Sequence, residues 1–240
     1  MKKLMTTIII LNLGLASTVS ANPITWDVDS GSAICSGGVG NSCVFNENGH
    51  ALMARAYSTT NNSGSGVFEK ATLTAWSGGL GVKNPDQNNE NSSPHHALDD
   101  DGRDELIVFE NSDPGFSFTG FEIGWRHNDS DLSVWIGSLT AGYDFTGVRF
   151  SDLSGLGFTN SYYGNVPINT LNSLDQVPGN YLIIAPASDS NSEYVKISQI
   201  SGELPNRVSE PNILMLFVIS WLSLWISRKR IVAGNAVCSL

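Results

Sequence analysis

Between residues 22 and 203 the chain is written in short apolar runs, and no run repeats with the 3.6-residue period of a helix. Runs rich in β-branched and aromatic residues fall at 24–28, 51–57, 67–76, 105–110, 116–125, 132–137, 181–185 and 193–201. Polar turn clusters separate them, such as Asn61-Asn62-Ser63-Gly64-Ser65-Gly66 and Asp113-Pro114-Gly115. Runs this short cannot form helices with a buried stripe, but they suit strands that bury one face. Apolar residues roughly alternate over 116–123, and Tyr194, Ile197 and Ile200 space themselves as in a strand with a bulge or a change of face. The pattern predicts an all-β domain, an antiparallel two-sheet sandwich that is jelly-roll-like, over residues 22–205. Residues 78–103 read as one long polar loop, and a loop of that length in a compact domain is usually functional.

The two ends read differently. Lys2 and Lys3, the apolar residues Ile8 to Leu15, and the small residues Val19 and Ala21 form the three parts of a signal peptide over 1–21. Its apolar stretch is too short to span a bilayer, which takes about 20 residues, so signal peptidase is an expected partner. At the other end, Ser209-Glu210-Pro211 precedes an apolar segment over 213–226, and Arg228-Lys229-Arg230 follow it. The basic cluster places that side of a short transmembrane helix in the cytoplasm. Residues 206–240 are thus expected to hold the chain in the inner membrane for a time.

Without its ends the domain is strongly acidic. All 23 acidic residues lie between Asp27 and Glu210, where only eight basic residues are found, a formal charge of −15. Such a surface repels phosphate backbones, so nucleic acid is not an expected partner. Export to an oxidising compartment and the glycine-rich span between Cys35 and Cys43 predict a disulfide between them.

The order of a Pro-Glu-Pro-like motif, an apolar helix and a basic cluster resembles the sorting tail of exosortase substrates, the PEP-CTERM class of bacterial surface proteins. Ser209 stands where that motif has its first proline, and ten residues continue past Arg230. Within the domain, Gly79-Leu80-Gly81-Val82, Pro94-His95-His96-Ala97-Leu98-Asp99 and residues 102–110 look like the exosortase-dependent surface proteins that carry this tail. The resemblance implies sorting by an exosortase-type enzyme through Ser209, Glu210, Pro211, Arg228, Lys229 and Arg230. It also implies a secreted or cell-surface protein of an extracellular polysaccharide matrix, without enzymatic activity.

The sequence offers little catalytic chemistry. No Gly-x-Ser-x-Gly elbow and no His-Glu-x-x-His motif is present. His95 and His96 are adjacent, so on a strand they face opposite sides. Acidic pairs abound, so any one pair is weak grounds for a glycosidase. Oxygen-rich loops suit calcium better. Asp86, Glu90, Asp99, Asp101 and Asp104 are the candidate ligands, with turn-capping by Asp99 and Asp104 as the plainer reading. Arg103 is expected to neutralise nearby acids, and Trp125, Trp135, Tyr162 and Tyr163 are candidates to stack on sugars. The expected function is a non-enzymatic surface or matrix protein; the rival is a displayed carbohydrate-binding or carbohydrate-active protein.

Overall fold

A computed structural model describes residues 23–29, 41–61, 65–85, 90–175, 177–187, 192–205 and Trp221. The expected signal peptide, Cys35, Asp86 and every residue of the sorting motif from Ser209 to Arg230 lie outside the described residues. Residues 21–205 form one compact unit. Among the described residues no helix is long and apolar enough to cross a membrane.

The strands in chain order are β1 (Pro23–Asp27), β2 (Ser42–Glu47), β3 (His50–Thr59), β4 (Phe68–Lys70), β5 (Thr72–Trp76), β6 (Gly79–Lys83) and β7 (Leu98–Asp99). They continue with β8 (Glu105–Asn111), β9 (Ser117–Asn128), β10 (Leu132–Gly137), β11 (Thr159–Tyr163), β12 (Asn172–Ser173), β13 (Tyr181–Pro186) and β14 (Glu193–Glu203). One sheet runs β12-β9-β14-β6-β5, with β1 and β7 also on β14. The other runs β11-β10-β13-β8-β3-β2, with β4 on β3. All pairings between these strands are antiparallel. The two sheets face each other as a β-sandwich.

Alternation decides what fills the space between them. Ile24, Trp26, Leu80, Phe118, Ile123 and Ile197 from the first sheet meet Leu52, Ala54, Ile107, Phe109, Val134 and Ile184 from the second in one apolar cluster. The second sheet is buried on its other face too. There Tyr57, Leu106, Val108, Tyr181 and Ile183 pack under Phe145, Leu153 and Phe158, which come from the irregular stretch 138–158. A strand buried on both faces reads as an unbroken apolar run, which is why β8 and β13 are plain in the sequence.

β14 organises the first sheet. β9 pairs along one side of it for its whole length, with register shifts near Ile197 and Gly202. The spacing of Tyr194, Ile197 and Ile200 allowed a bulge or a change of face, and the register shifts agree with the bulge. Three short strands share the other side in succession: β7 opposite Tyr194 and Val195, β6 opposite Ile197, and β1 opposite 199–203. The run 67–76 proves to be two strands, because the chain changes sheets at Ala71: β4 joins β3 and β5 joins β6.

The long polar loop expected over 78–103 also contains structure, since β6 and β7 lie within it. Gly79 and Gly81 are what allow β6 to thread between its neighbours. A Cβ on Gly79 would stand 2.2 Å from the Ile197 carbonyl oxygen, and one on Gly81 would stand 2.1 Å from that of His96. Between β2 and β3, Asn48 (φ 51°) and Gly49 (φ 86°) make a two-residue hairpin turn, as Asn-Gly pairs favour.

Candidate functional site

Residues 84 and 90–105 carry acids inward onto the sandwich. Asn84 follows β6, Glu90 lies in the turn region beyond it, Asp99 ends β7 and Glu105 begins β8. Asp99 is held by the pairing of β7 with β14, and Glu105 by the pairing of β8 with β3. All four residues are buried; Glu90 is 7%, Asp99 1% and Glu105 0% exposed.

Hydrogen bonds join them. Glu105 accepts from the Asp99 backbone N–H at its Oε2 (3.1 Å) and from the Asn84 Nδ2 at its Oε1 (3.4 Å). The Asn84 backbone N–H donates to the Glu90 carboxylate. Asp99 Oδ1 accepts from the Asp101 N–H at 3.1 Å, an Asx-type turn. Two oxygens, Glu90 Oε2 and Asp99 Oδ2, are buried with no hydrogen-bond partner. Among the described residues no Lys, Arg or His forms an ion pair with Glu90, Asp99 or Glu105.

The electrostatics follow from that geometry. Burial pushes Asp99 up to about 9, and the charge of Glu90 adds to it. Burial lifts Glu90 to about 7 against the opposing pull of the Asn84 N–H and of Lys83. Burial, then Asp99 and Glu90, hold Glu105 well above the carboxylate range. A carboxylate removed from water without a counter-charge takes up a proton or finds a cation.

The other expected ligands have different work. Asp101 is half-exposed and accepts from the Tyr194 hydroxyl (3.0 Å), with His95 Nδ1 at 3.6 Å. Asp104 fixes the approach of β8 to β3, since its N–H donates to Thr59 Oγ1 at 3.1 Å, and burial lifts its carboxyl to about 6. Arg103 leaves the acids and pairs with Glu69 and the Thr59 carbonyl. Glu105 and Asn84 were missing from the sequence-based ligand set. A charged residue opening an apolar run looks like a solvated strand end, and only the register of β8 shows that it points inward. Among the described residues no three His, Cys, Asp or Glu side chains form a ready metal cage.

A second constellation lies across the outer face of the first sheet. Lys196 on β14 is buried, and its Nζ lies 2.9 Å from His96 Nε2 and 4.9 Å from the centre of the Trp125 ring. Burial holds both Lys196 and His96 below their ordinary values. Around them the rings form a row. Trp76 packs on His96, Trp125 stacks with His127, and Tyr194 meets both His127 and His95 edge-on. Trp76 is 42% exposed. His95 and His96 lie in a turn rather than on a strand, and face different neighbours. Of the aromatic residues named from the sequence as sugar platforms, only Trp125 lies in this row. Trp135 stacks on Phe150 under the cover of 138–158, Tyr163 packs on Phe121, and exposed Tyr162 bonds to Asp131.

A polar cavity of about 140 Å³ lies between β3 and the stretch near 143, lined by Asn41, Arg55, Tyr57, Lys70, Tyr143 and Asp144. That is well below the roughly 300–1,000 Å³ of small-molecule sites. Comparison with protein-family models, with curated proteins and with solved structures gave no match.

Proposed function

We propose that this chain is a non-enzymatic protein of the cell surface or extracellular matrix, exported through its signal peptide and sorted by an exosortase-type system. One observation supports this reading above the others. β1 pairs antiparallel with the end of β14, with Pro23 opposite Glu203. The first and last described strands of the sandwich therefore lie side by side, with Pro23 and Glu203 at the same end. A domain built this way can be presented whole on a membrane stalk and released by one cut near Pro211. The proposal includes signal peptidase and the sorting enzyme as partners, passage through the inner membrane, and a jelly-roll-like connection of strands far apart in sequence.

The experiment is surface labelling in the native host. The protein should be labelled on intact cells or found in matrix, and removing 206–240 should send it unretained into the periplasm or medium. Equal labelling with and without the tail contradicts the proposal.

The aromatic row of Trp76, Trp125, His127 and Tyr194 favours a second reading, a glycan-binding or glycan-acting surface. Tyr194 is buried, but Trp76 and His127 are exposed and Trp125 is half-buried, and rings so placed can cover the apolar face of a sugar. Co-sedimentation with insoluble polysaccharides, lost in Trp125→Ala, would favour the binder. Release of reducing sugar would favour the enzyme and overturn the non-enzymatic reading.

A further inference from the structure

We propose that Glu90, Asp99 and Glu105, with Asn84 holding two of them in place, bind one divalent cation of the oxygen-seeking kind, calcium first, and that this ion fastens the 84–105 excursion to the sandwich. The inference stands on this cluster alone and does not depend on how the protein is sorted.

The hydrogen bonds fix the character of the groups. Both Glu105 oxygens accept, one from a backbone N–H and one from a side-chain amide. Two donors on one acid favour its ionised form, against the burial that opposes it. Asp99 and Glu90 each accept from a backbone N–H as well, and each keeps a second oxygen buried without a partner. Donors thus hold all three carboxylates, while Glu90 Oε2 and Asp99 Oδ2 remain buried without a hydrogen-bond partner. An unpaired buried carboxylate is strongly destabilising. A proton would neutralise one group and turn one oxygen into a donor. A divalent cation would draw on several oxygens at once and oppose the mutual repulsion that drives the three groups toward protonation.

The donor set also selects the ion. It has oxygens and no thiolate or imidazole, which disfavours zinc and copper and suits calcium, magnesium or manganese. Three protein carboxylates from separate segments, with water completing the shell, match the flexible coordination of calcium better than the strict octahedron of magnesium. No tight cage is formed by the side chains as they stand, so the ion should draw the carboxylates closer. An affinity in the range of extracellular calcium modules, about 10⁻⁴–10⁻³ M, is expected.

The test uses the purified protein, stripped with chelator and returned to matched ionic strength. Calorimetric titration with calcium chloride should show one site per chain. At a hundred-fold excess over Kd the melting temperature should rise by about 5–10 °C over the chelated protein. Magnesium should give a smaller rise. Asp99→Asn and Glu105→Gln should abolish both the heat and the shift, while surface Asp152→Asn keeps them. If the first two variants fail to fold, Glu90→Gln replaces them and should weaken binding at least ten-fold. Equal melting temperatures for wild-type protein with calcium, magnesium, manganese and chelator overturn the proposal. So does calcium binding of undiminished affinity in the folded Asp99→Asn or Glu90→Gln variant.

Discussion

Removing the Arg55 guanidinium should unfasten the cover on the second sheet. Arg55 on β3 and Glu110 on β8 lie on the outer face of that sheet, with Nη2 and Oε2 2.8 Å apart and side chains only 14% and 5% exposed. The pair also grips the stretch 138–158. Glu110 Oε1 accepts from the Gly142 N–H at 2.8 Å, and Arg55 Nη1 reaches the Tyr143 carbonyl at 3.4 Å. At an effective dielectric near 20, charges this close attract by roughly 6 kcal/mol before desolvation is counted. Deleting one partner leaves the other buried and uncompensated, which typically costs about 3–5 kcal/mol. Arg55→Met should therefore lower unfolding free energy by about 3–5 kcal/mol in urea titrations, with an unchanged m-value. Adding Glu110→Gln removes the stranded charge and should restore about 1.5 kcal/mol or more, within the usual range of coupling energies. Hydrogen exchange at Gly142 and Tyr143 should speed up in the single variant before global unfolding does. A loss under about 1 kcal/mol for Arg55→Met, or a double variant no more stable than the single, would refute the claim that this buried pair holds the cover.

Gly81→Ala should cost upwards of about 3 kcal/mol, because its Cβ meets the His96 carbonyl oxygen at 2.1 Å. Gly49→Ala, which enters open space at φ 86°, should cost only the left-handed strain of about 1–2 kcal/mol; urea titrations compare them. The Cys35–Cys43 disulfide expected from the sequence should leave neither residue open to alkylation in native exported protein, and its reduction should cost on the order of 2–3 kcal/mol. In chelated protein Asp99 is held up to about 9 and Glu90 to about 7, against ordinary values of 3.8 and 4.5. The folded state then keeps protons that the unfolded chain releases, so stability from these groups is present below about pH 4 and falls as pH rises toward 9. Thermal melts across that window read the slope, and a flat or rising profile would contradict the burial of these acids.

Which parts of this fold are legible in the sequence depends on what each residue answers to. β13 and the Leu106 to Phe109 centre of β8 declare themselves, since both of their faces are buried and those positions are apolar. β6 does not, because Gly79 and Gly81 have little strand propensity. They are there because other backbones pass too close for a Cβ. β11 hides for the opposite reason, as an exposed edge of polar residues. The stretch 138–158 has no periodicity to read, yet Phe145, Leu153 and Phe158 form half of a second core. The acidity of 86–105 is plain, and Glu90 and Asp99 were among the residues singled out. Their meeting with Glu105 depends on two strand registers in different sheets, which no local spacing encodes. The hydrogen-bonded hairpin at Asn48-Gly49 carried a signal that the run-by-run reading passed over.

We propose that the sandwich is an exported domain that loses its leader and then its tail. Intact-mass analysis of the protein recovered from the native envelope or matrix tests this most directly. The account predicts a chain that begins at Asn22 and ends near Pro211. A chain that retains 1–21, or that still carries 213–240 after delivery to the surface, would contradict it.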